Sequence, residues 1–444
     1  LEDREHETAT RYLLQAADHS DLVEGDRRFD PDFVAATLEL SHLSVAMGKG
    51  FTEVPELLGK AQAVAEHLGD RRSRALIDLH LGRFLYFGEK RSEALAALSS
   101  GREQVEDLGD ADILTQSAEF LGLFFFIQGL FKEAMVHYER TLTSVQDEGG
   151  SRPSDPLAPV LMSFCAANLG QFHRAIGILD MHWRWAIQEQ EQGQAITYRA
   201  TMGVLLLKFH KKREASFHLY GALHDAFETK NALAAYFAKG GLAMHSFLEG
   251  RLKEARDTWA QAVIEATRAG LVRQWVSPLV LEILLELDRL SYEPIPEFSY
   301  QSQSEKALKD PSLHLRGLAL RLEARQARAR GEDNKQIQSY LEASEGYLIR
   351  SGDPVELGKT HLEMARLELT KGDRDRAREL TQKAWQGLSG YTEEFFPDDL
   401  RYLLETPERS PKVGDADRPE SVLQRFLDMM EELVPSDDSK EILH

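Results

Sequence analysis

A chain of 444 residues, 42% hydrophobic and 28% charged, is longer than one compact core sustains, so it must form several domains or an elongated repeat array. Its formal charge of −20 excludes a nucleic-acid-gripping surface in this segment, because phosphate binding needs clustered Lys and Arg. No apolar run approaches the roughly 20 residues of a membrane span, and the single cysteine, Cys165, excludes an internal disulfide. The apolar setting SFCAANLG makes Cys165 a packed small side chain, and a reducing cytoplasm fits it.

Residues 1–30 open on leucine and carry ATRYLLQAADHS, in which Ala9, Leu13 and Ala16 stand at the spacing of a second hairpin helix whose first helix is missing. The expectation is the end of a preceding module or a partial repeat, in a chain excised from a longer polypeptide. Over 31–290 one phrase then recurs. It centres on Val54 in FTEVPELLGKA, Ala94 in GEKRSEALAAL, Ala134 in GLFKEAMVHY, Ala175 in GQFHRAIGIL, Ala215 in HKKREASFHL and Ala255 in GRLKEARDTW, at spacings of 40, 40, 41, 40 and 40 residues. Such a period marks stacked supersecondary units.

Twelve residues before each alanine stands a small residue (Gly82, Gly122, Ser163, Gly203, Ala243), and four after it a bulky one (Leu98, Tyr138, Leu179, Leu219, Trp259). Two antiparallel helices account for these marks. The first helix needs a small residue where its neighbour crosses closely, the turn takes a glycine such as Gly129, Gly170 or Gly250, and a residue larger than alanine would push the pair apart. HLGD and DLGD end second helices on Gly69 and Gly109, where a left-handed backbone is easiest for glycine.

The stretch GGSRPSDPLAP from Gly149 reads as a short polar inter-hairpin loop, and one blurred repeat lies across Val276 to Leu290. Residues 291–311, dense in proline and serine, are expected to be a loop insertion, either simply tolerated or a flexible joint between two arms. Further repeats fill 312–406. Gln336 in GEDNKQIQSYLEA takes the eighth slot, and Ala377, with Ala365 before it and Leu380 after it, marks the last. PERSPKVGDADRP makes 407–420 a linker, and 421–444 places Val422, Phe426, Met429 and Leu433 on one helix face.

The small residue, the alanine, the bulky residue and a further small residue three later (Ala61, Ala222, Ala262) resemble the tetratricopeptide repeat. The terminal proline of that family is mostly missing, and the period exceeds its usual length of about 34 residues. In this the repeats resemble those of maltose-regulon-activator-like signalling ATPases. The resemblance implies an all-α fold, a TPR-like α-solenoid in which antiparallel helix pairs with a period of about 40 residues wind into a right-handed superhelix. The last helix resembles the lead-in to a GAF domain, truncated here. Together these are similar to the middle of large cytoplasmic bacterial regulators, which join a kinase or signalling ATPase, such repeats, a GAF domain and a transcriptional or histidine-kinase output.

Chemistry is hard to find. No GxxxxGK[ST], strand-bounded GxGxxG, HExxH, GxSxG or paired CxxC occurs, and His361 in HLEMARLEL lacks the second histidine of a zinc helix. His173 and His182, or His218 and His224, are spaced so that neither pair shares a helix face. Glu431 and Glu432 read as a solvated face. The segment is therefore expected to be no enzyme and to hold neither cofactor nor metal.

In a superhelix of this kind the first helices line the concave side. Counting from the small residue turns Arg83, Tyr86, Glu119, Phe126, Phe164, Met244 and Phe247 inward as candidates for a ligand groove, alongside Leu123, Val160, Val204 and Leu207. Helix-spaced aromatics are usually packing, and of the consecutive Phe124, Phe125 and Phe126 most must fill the core. In the eighth unit Arg321, Arg325 and Arg328 form a basic ridge. It is either a solvated face paired with Glu323 and Glu332 or a dock for an acidic partner. The function expected is ligand sensing and protein–protein interaction within a signal-transduction or transcription regulator. A peptide, protein or small molecule would bind in the groove and act on flanking domains of the same polypeptide. The alternative is a passive scaffold or homodimerisation module.

Overall fold

The computed structural model describes residues 30–404 except 48–49, 89, 148–156, 272–277, 296–297 and 390–395, with four isolated residues before them. The expected partial repeat at 1–30 and the loop from Gly149 fall almost wholly outside the described residues. The linker 407–420 and the GAF-like helix 421–444 fall wholly outside them. Two compact units divide the chain after Phe396. In the second, the described residues hold one short helix, α20 (Asp398–Arg401), with an Arg401–Asp398 ion pair of 3.0 Å.

Among the described residues the first unit is a series of nine helix pairs with no strand. They are α1 (Asp30–Met47) with α2 (Glu53–Leu68), α3 (Arg71–Phe87) with α4 (Arg91–Leu108), then α5 (Ala111–Gln116) and α6 (Ala118–Ile127) with α7 (Phe131–Asp147). Next come α8 (Ala158–Asn168) with α9 (Phe172–Gln188), α10 (Gln192–Lys208) with α11 (Lys212–Glu228), and α12 (Ala232–Leu248) with α13 (Leu252–Arg268). Last are α14 (Pro278–Arg289) with α15 (Tyr300–Lys309), α16 (Leu313–Ala329) with α17 (Asn334–Ser351), and α18 (Pro354–Lys371) with α19 (Arg374–Leu388). Each helix packs on the next in chain order, except that α14 packs on α12 rather than on α13, and the series is the TPR-like α-solenoid the repeat implies. None of the helices is long and apolar enough to cross a membrane, among the described residues.

The repeated marks explain the nesting. Val54, Ala94, Ala134, Ala175, Ala215, Ala255 and Ala377 are all 0% exposed. Opposite them the glycines of the first helices leave room for the bulky residue of the second. A Cβ on Gly82 would stand 2.6 Å from Leu98 Cγ, one on Gly122 2.5 Å from a Tyr138 ring carbon, and one on Gly203 2.5 Å from Leu219 Cγ. At three junctions between pairs, and at the elbow of the ninth pair, a Gly-Asp step serves both neighbouring helices. Gly69, Gly109, Gly352 and Gly372 end one helix in left-handed conformation, and Asp70, Asp110, Asp353 and Asp373 cap the next by accepting from its first backbone N–H groups.

Two expectations are corrected. Residues 291–311 are not a loop throughout, since α15 is the second helix of the seventh pair. Its Ser299 Oγ accepts from Ser302 N at 3.2 Å, Tyr300, Ser304 and Ala307 are buried, and Phe298 packs 5.8 Å from the Trp259 ring. The serine that suggested a loop is a helix cap. In the eighth pair Ile337, 3% exposed, fills the slot expected for Gln336, which is exposed. The turn there has four residues, 330–333, against three, 209–211, in the fifth pair, and the extra residue moves the register by one.

A repeat array usually touches only its neighbours. This one also curls onto itself. Leu313 N donates to Gln128 O at 2.9 Å, Arg91 pairs with Asp310 at 3.0 Å, and Lys208 pairs with Asp353 at 3.4 Å. Pairs one and six also meet, for a Cβ on Gly270 would lie 2.7 Å from Thr52 Cγ2.

Candidate functional site

The curl borders a partly open cavity of about 340 Å³ on the concave side. Its walls come from the first helices of pairs two to nine, together with elbow residues such as Arg91, Phe131 and His210. Tyr86, Phe126, Phe164, Met244 and Phe247 all line it, as do Val204 and Leu207. The Phe164 ring lies 6.2 Å from Phe237 with planes 24° apart, and Phe126 lies 5.9 Å from Phe131. Of the three consecutive phenylalanines only Phe126 reaches the cavity. Phe125 stacks on His137 at 5.2 Å, and Phe124 lies under the Arg102 guanidinium at 5.0 Å. The α12 backbone forms part of the wall at Gly240 and Gly241. Side chains there would collide with Trp259 and Leu219.

Arg83 and Glu119 do not line the cavity. Arg83 is 1% exposed, lies 5.0 Å over the Phe120 ring, and donates to Ser41 O at 3.4 Å on α1. Its neighbour His80 bonds Ser41 Oγ, and burial first, then the charge of Arg83, pushes the imidazole well below its ordinary value. Glu119 is 3% exposed, two turns before Phe126 on α6. The first pair covers this end of the concave face, so Arg83 turns toward α1 and away from solvent.

Charged groups sit at two places on the wall. At the first, Asp353, 1% exposed, lies behind the wall residues Lys208 and His314; its carboxylate accepts from His314 Nε2 at 3.1 Å and Lys208 Nζ at 3.4 Å, and from the backbone N–H groups of Val355 and Glu356 at 2.9 and 3.0 Å. Burial alone would raise this carboxyl, but the Lys208 charge and the His314 hydrogen bond hold it well below the usual carboxylate range. Lys208 also donates to Asn168 Oδ1. At the second, Arg321 pairs with Glu282 at 3.0 Å and with Glu356, and Lys359 pairs with Glu282 at 3.4 Å and Glu356 at 3.0 Å. Against the effect of burial, Lys359 and Arg321 bring the Glu282 carboxyl down to about 2.

The arginine ridge finds its acidic partners inside the chain. Besides Arg321, Arg325 pairs with Glu286 at 3.1 Å and Arg328 with Glu363 at 2.7 Å. The flanking first helices α14 and α18 present these glutamates, whereas Glu323 accepts from Tyr300 and Ser304 and Glu332 pairs with Arg330. The ridge thus fastens pairs seven to nine together. Lys208, His314, Asp353, Glu356 and Lys359 were not singled out from sequence. The only trace of them is a polar residue at or near an inward position of a first helix. Cys165 is buried, and burial pushes its thiol well up. Among the described residues no group of three or more His, Cys, Asp or Glu could hold a metal ion.

No protein-family model matches the chain, and no curated protein matches it. Among solved structures it is similar to the crystal structure of a Rap protein complexed with competence and sporulation factor, at 12% identity and a TM-score of 0.47, over 84% of this chain and 98% of that one. It is also similar to the apo form of the quorum sensor NprR from B. thuringiensis, at 12% identity and a TM-score of 0.47, over 80% of this chain and 99% of that one.

Proposed function

We propose that the segment is a non-catalytic sensor whose concave cavity takes an apolar peptide segment or small molecule, and whose curl responds to occupancy. The observation that carries this reading is the aromatic-lined space of about 340 Å³. Folded interiors are close-packed, and emptied apolar volume is destabilising. A void of this size therefore needs an explanation, and it falls within the roughly 300–1,000 Å³ of ordinary ligand sites.

The charges narrow the ligand. Arg91, Lys208 and Lys359 are answered by Asp310, Asp353 and the Glu282–Glu356 pair. An anion would have to displace these carboxylates, leaving them buried without their partners. A neutral, apolar ligand does not. In this reading the segment belongs to a cytoplasmic bacterial signalling regulator and acts on its flanking domains by shifting an equilibrium between two arrangements of the array. The resemblance of the long-period repeats to those of such regulators supports the setting.

Titration with the neutral fluorophore N-phenyl-1-naphthylamine tests the site. Saturable binding is expected, abolished by Phe164→Asp while the helical signal persists. Binding that never saturates, or that ignores Phe164→Asp, would end the reading. A second reading, a self-associating scaffold, is favoured by the exposure of Met181, Ile187, Phe217 and Tyr220 at 55%, 55%, 66% and 58% on the second helices of pairs four and five. Sedimentation over a range of concentrations separates the two, since only the scaffold requires a dimer.

A further inference from the structure

The same Gly-Asp step opens four helices, yet its aspartates differ. Asp70, Asp110 and Asp373 are exposed, while Asp353 is 1% exposed. Asparagine caps a helix as well as aspartate does, so the cap alone does not require a buried charge. What covers Asp353 comes from far along the chain: Lys208 lies 145 residues away, at the C-terminal end of α10. His314, at the start of α16, closes the other side.

Asp353 lies in a seam between pairs eight and nine and the elbows of pairs three to five. The seam also holds the Leu313 N–H on Gln128 O at 2.9 Å, the Phe131 ring 5.2 Å from His314, and the close approaches of Gly129 to Ser312 and His314 and of Gly352 to Leu169. Successive pairs are joined by buried leucine, alanine and aromatic side chains. At its centre the seam relies on charged and hydrogen-bonded groups, Asp353 with Lys208 and His314, and contacts of that kind separate more readily than apolar ones. It is also part of the cavity wall, for Asn168, Lys208, Ser312 and His314 belong to both.

We propose that the Asp353 carboxylate, held by Lys208 and His314, is the latch of this seam, so that opening the latch admits ligand to the cavity and closing it retains ligand there. The inference rests on reading the cavity as a ligand site. It adds how that site is controlled: the latch has two discrete states, and a molecule touching the seam residues biases them.

The test uses the full chain with Asp353→Asn, which keeps the cap, and Lys208→Met, which removes the opposing charge without touching it. Lys208→Arg serves as the conservative control. Hydrogen exchange followed by mass spectrometry reads the segments 126–131 and 311–316. Both variants should exchange there at least tenfold faster, with α11 unchanged and Lys208→Arg close to the parent. Stopped-flow mixing should show faster uptake of N-phenyl-1-naphthylamine in both variants. Unchanged exchange in both segments overturns the latch, and faster exchange with unaltered uptake overturns its control of the cavity. If the parent binds no probe, the cavity reading fails and the control of ligand with it, while exchange alone still decides whether the seam is latched.

Discussion

Gly203→Ala adds one methyl group to the middle of α10, and the nesting of the helix pairs decides its effect. The added Cβ would stand 2.5 Å from Leu219 Cγ, 2.7 Å from Leu219 Cδ2 and 3.3 Å from Ala215 O. Leu219 and Ala215 are both 0% exposed, so neither side chain can swing into solvent. Overpacking of this kind costs roughly 1–3 kcal/mol, whereas alanine's better helix propensity returns at most about 1 kcal/mol. A net destabilisation of about 1–2 kcal/mol should remain, equivalent to a roughly tenfold rise in the opening equilibrium. Gly177→Ala is the matched control. It lies on α9 with nothing within 4 Å of the added Cβ, and should stabilise its helix by up to about 1 kcal/mol. Because a repeat array need not unfold in two states, native-state hydrogen exchange of α10 and α11 against α9 is the appropriate assay. The double variant Gly203→Ala/Leu219→Ala should lose less than the two single changes summed, since Leu219→Ala removes the collision. If Gly203→Ala protects α10 as Gly177→Ala protects α9, the nesting argument is refuted.

Arg321→Met deprives the half-buried Glu282 and the buried Glu356 of their shared guanidinium. It should weaken protection of α16 and α18 by roughly 3 kcal/mol, and a loss below about 1 kcal/mol would show that Lys359 suffices. Acid should act in two steps. His80 is held neutral well below its ordinary 6.5, so the unfolded chain takes up the proton first, and stability present above about pH 6.5 is lost from pairs one and two as pH falls. The carboxyls of Glu282 and Asp353 are depressed from 4.5 and 3.8. Their contribution is complete above about pH 4.5 and disappears only as pH falls through their folded values. Exchange measured down the pH scale should therefore loosen α1–α3 before the seam, and the reverse order would contradict the assignment. Phe164→Ala removes one face of the stack with Phe237 and should weaken N-phenyl-1-naphthylamine binding roughly 3- to 10-fold; an unchanged dissociation constant in fluorescence titration would place the probe elsewhere.

The features legible in the sequence are those fixed by neighbours. Every alanine slot from Ala94 to Ala255 is fully buried, because a helix pair sets its own crossing distance with residues close along the chain. Five of the seven groove candidates line the cavity for the same reason: the rotation of a first helix follows from its buried face. Pair seven was obscured because α15 starts behind a proline-rich stretch and carries no alanine in the usual slot. The curl was illegible. Asp310, His314 and Asp353 meet Arg91, Phe131 and Lys208 only through the accumulated angle of several intervening pairs, and no local spacing encodes that angle. Hence the sequence left the arginine ridge as a solvated face or a dock for an acidic partner, whereas its partners are the glutamates of α14 and α18.

Apolar cavities in proteins take up xenon, so a crystal structure of the chain under xenon pressure tests the cavity most directly. Nine nested pairs should be seen, with Arg91 on Asp310, Lys208 on Asp353, and xenon among Phe126, Phe164, Phe237 and Met244. An extended array with those ion pairs apart, or a closed one whose aromatic interior stays empty of xenon, would contradict the account.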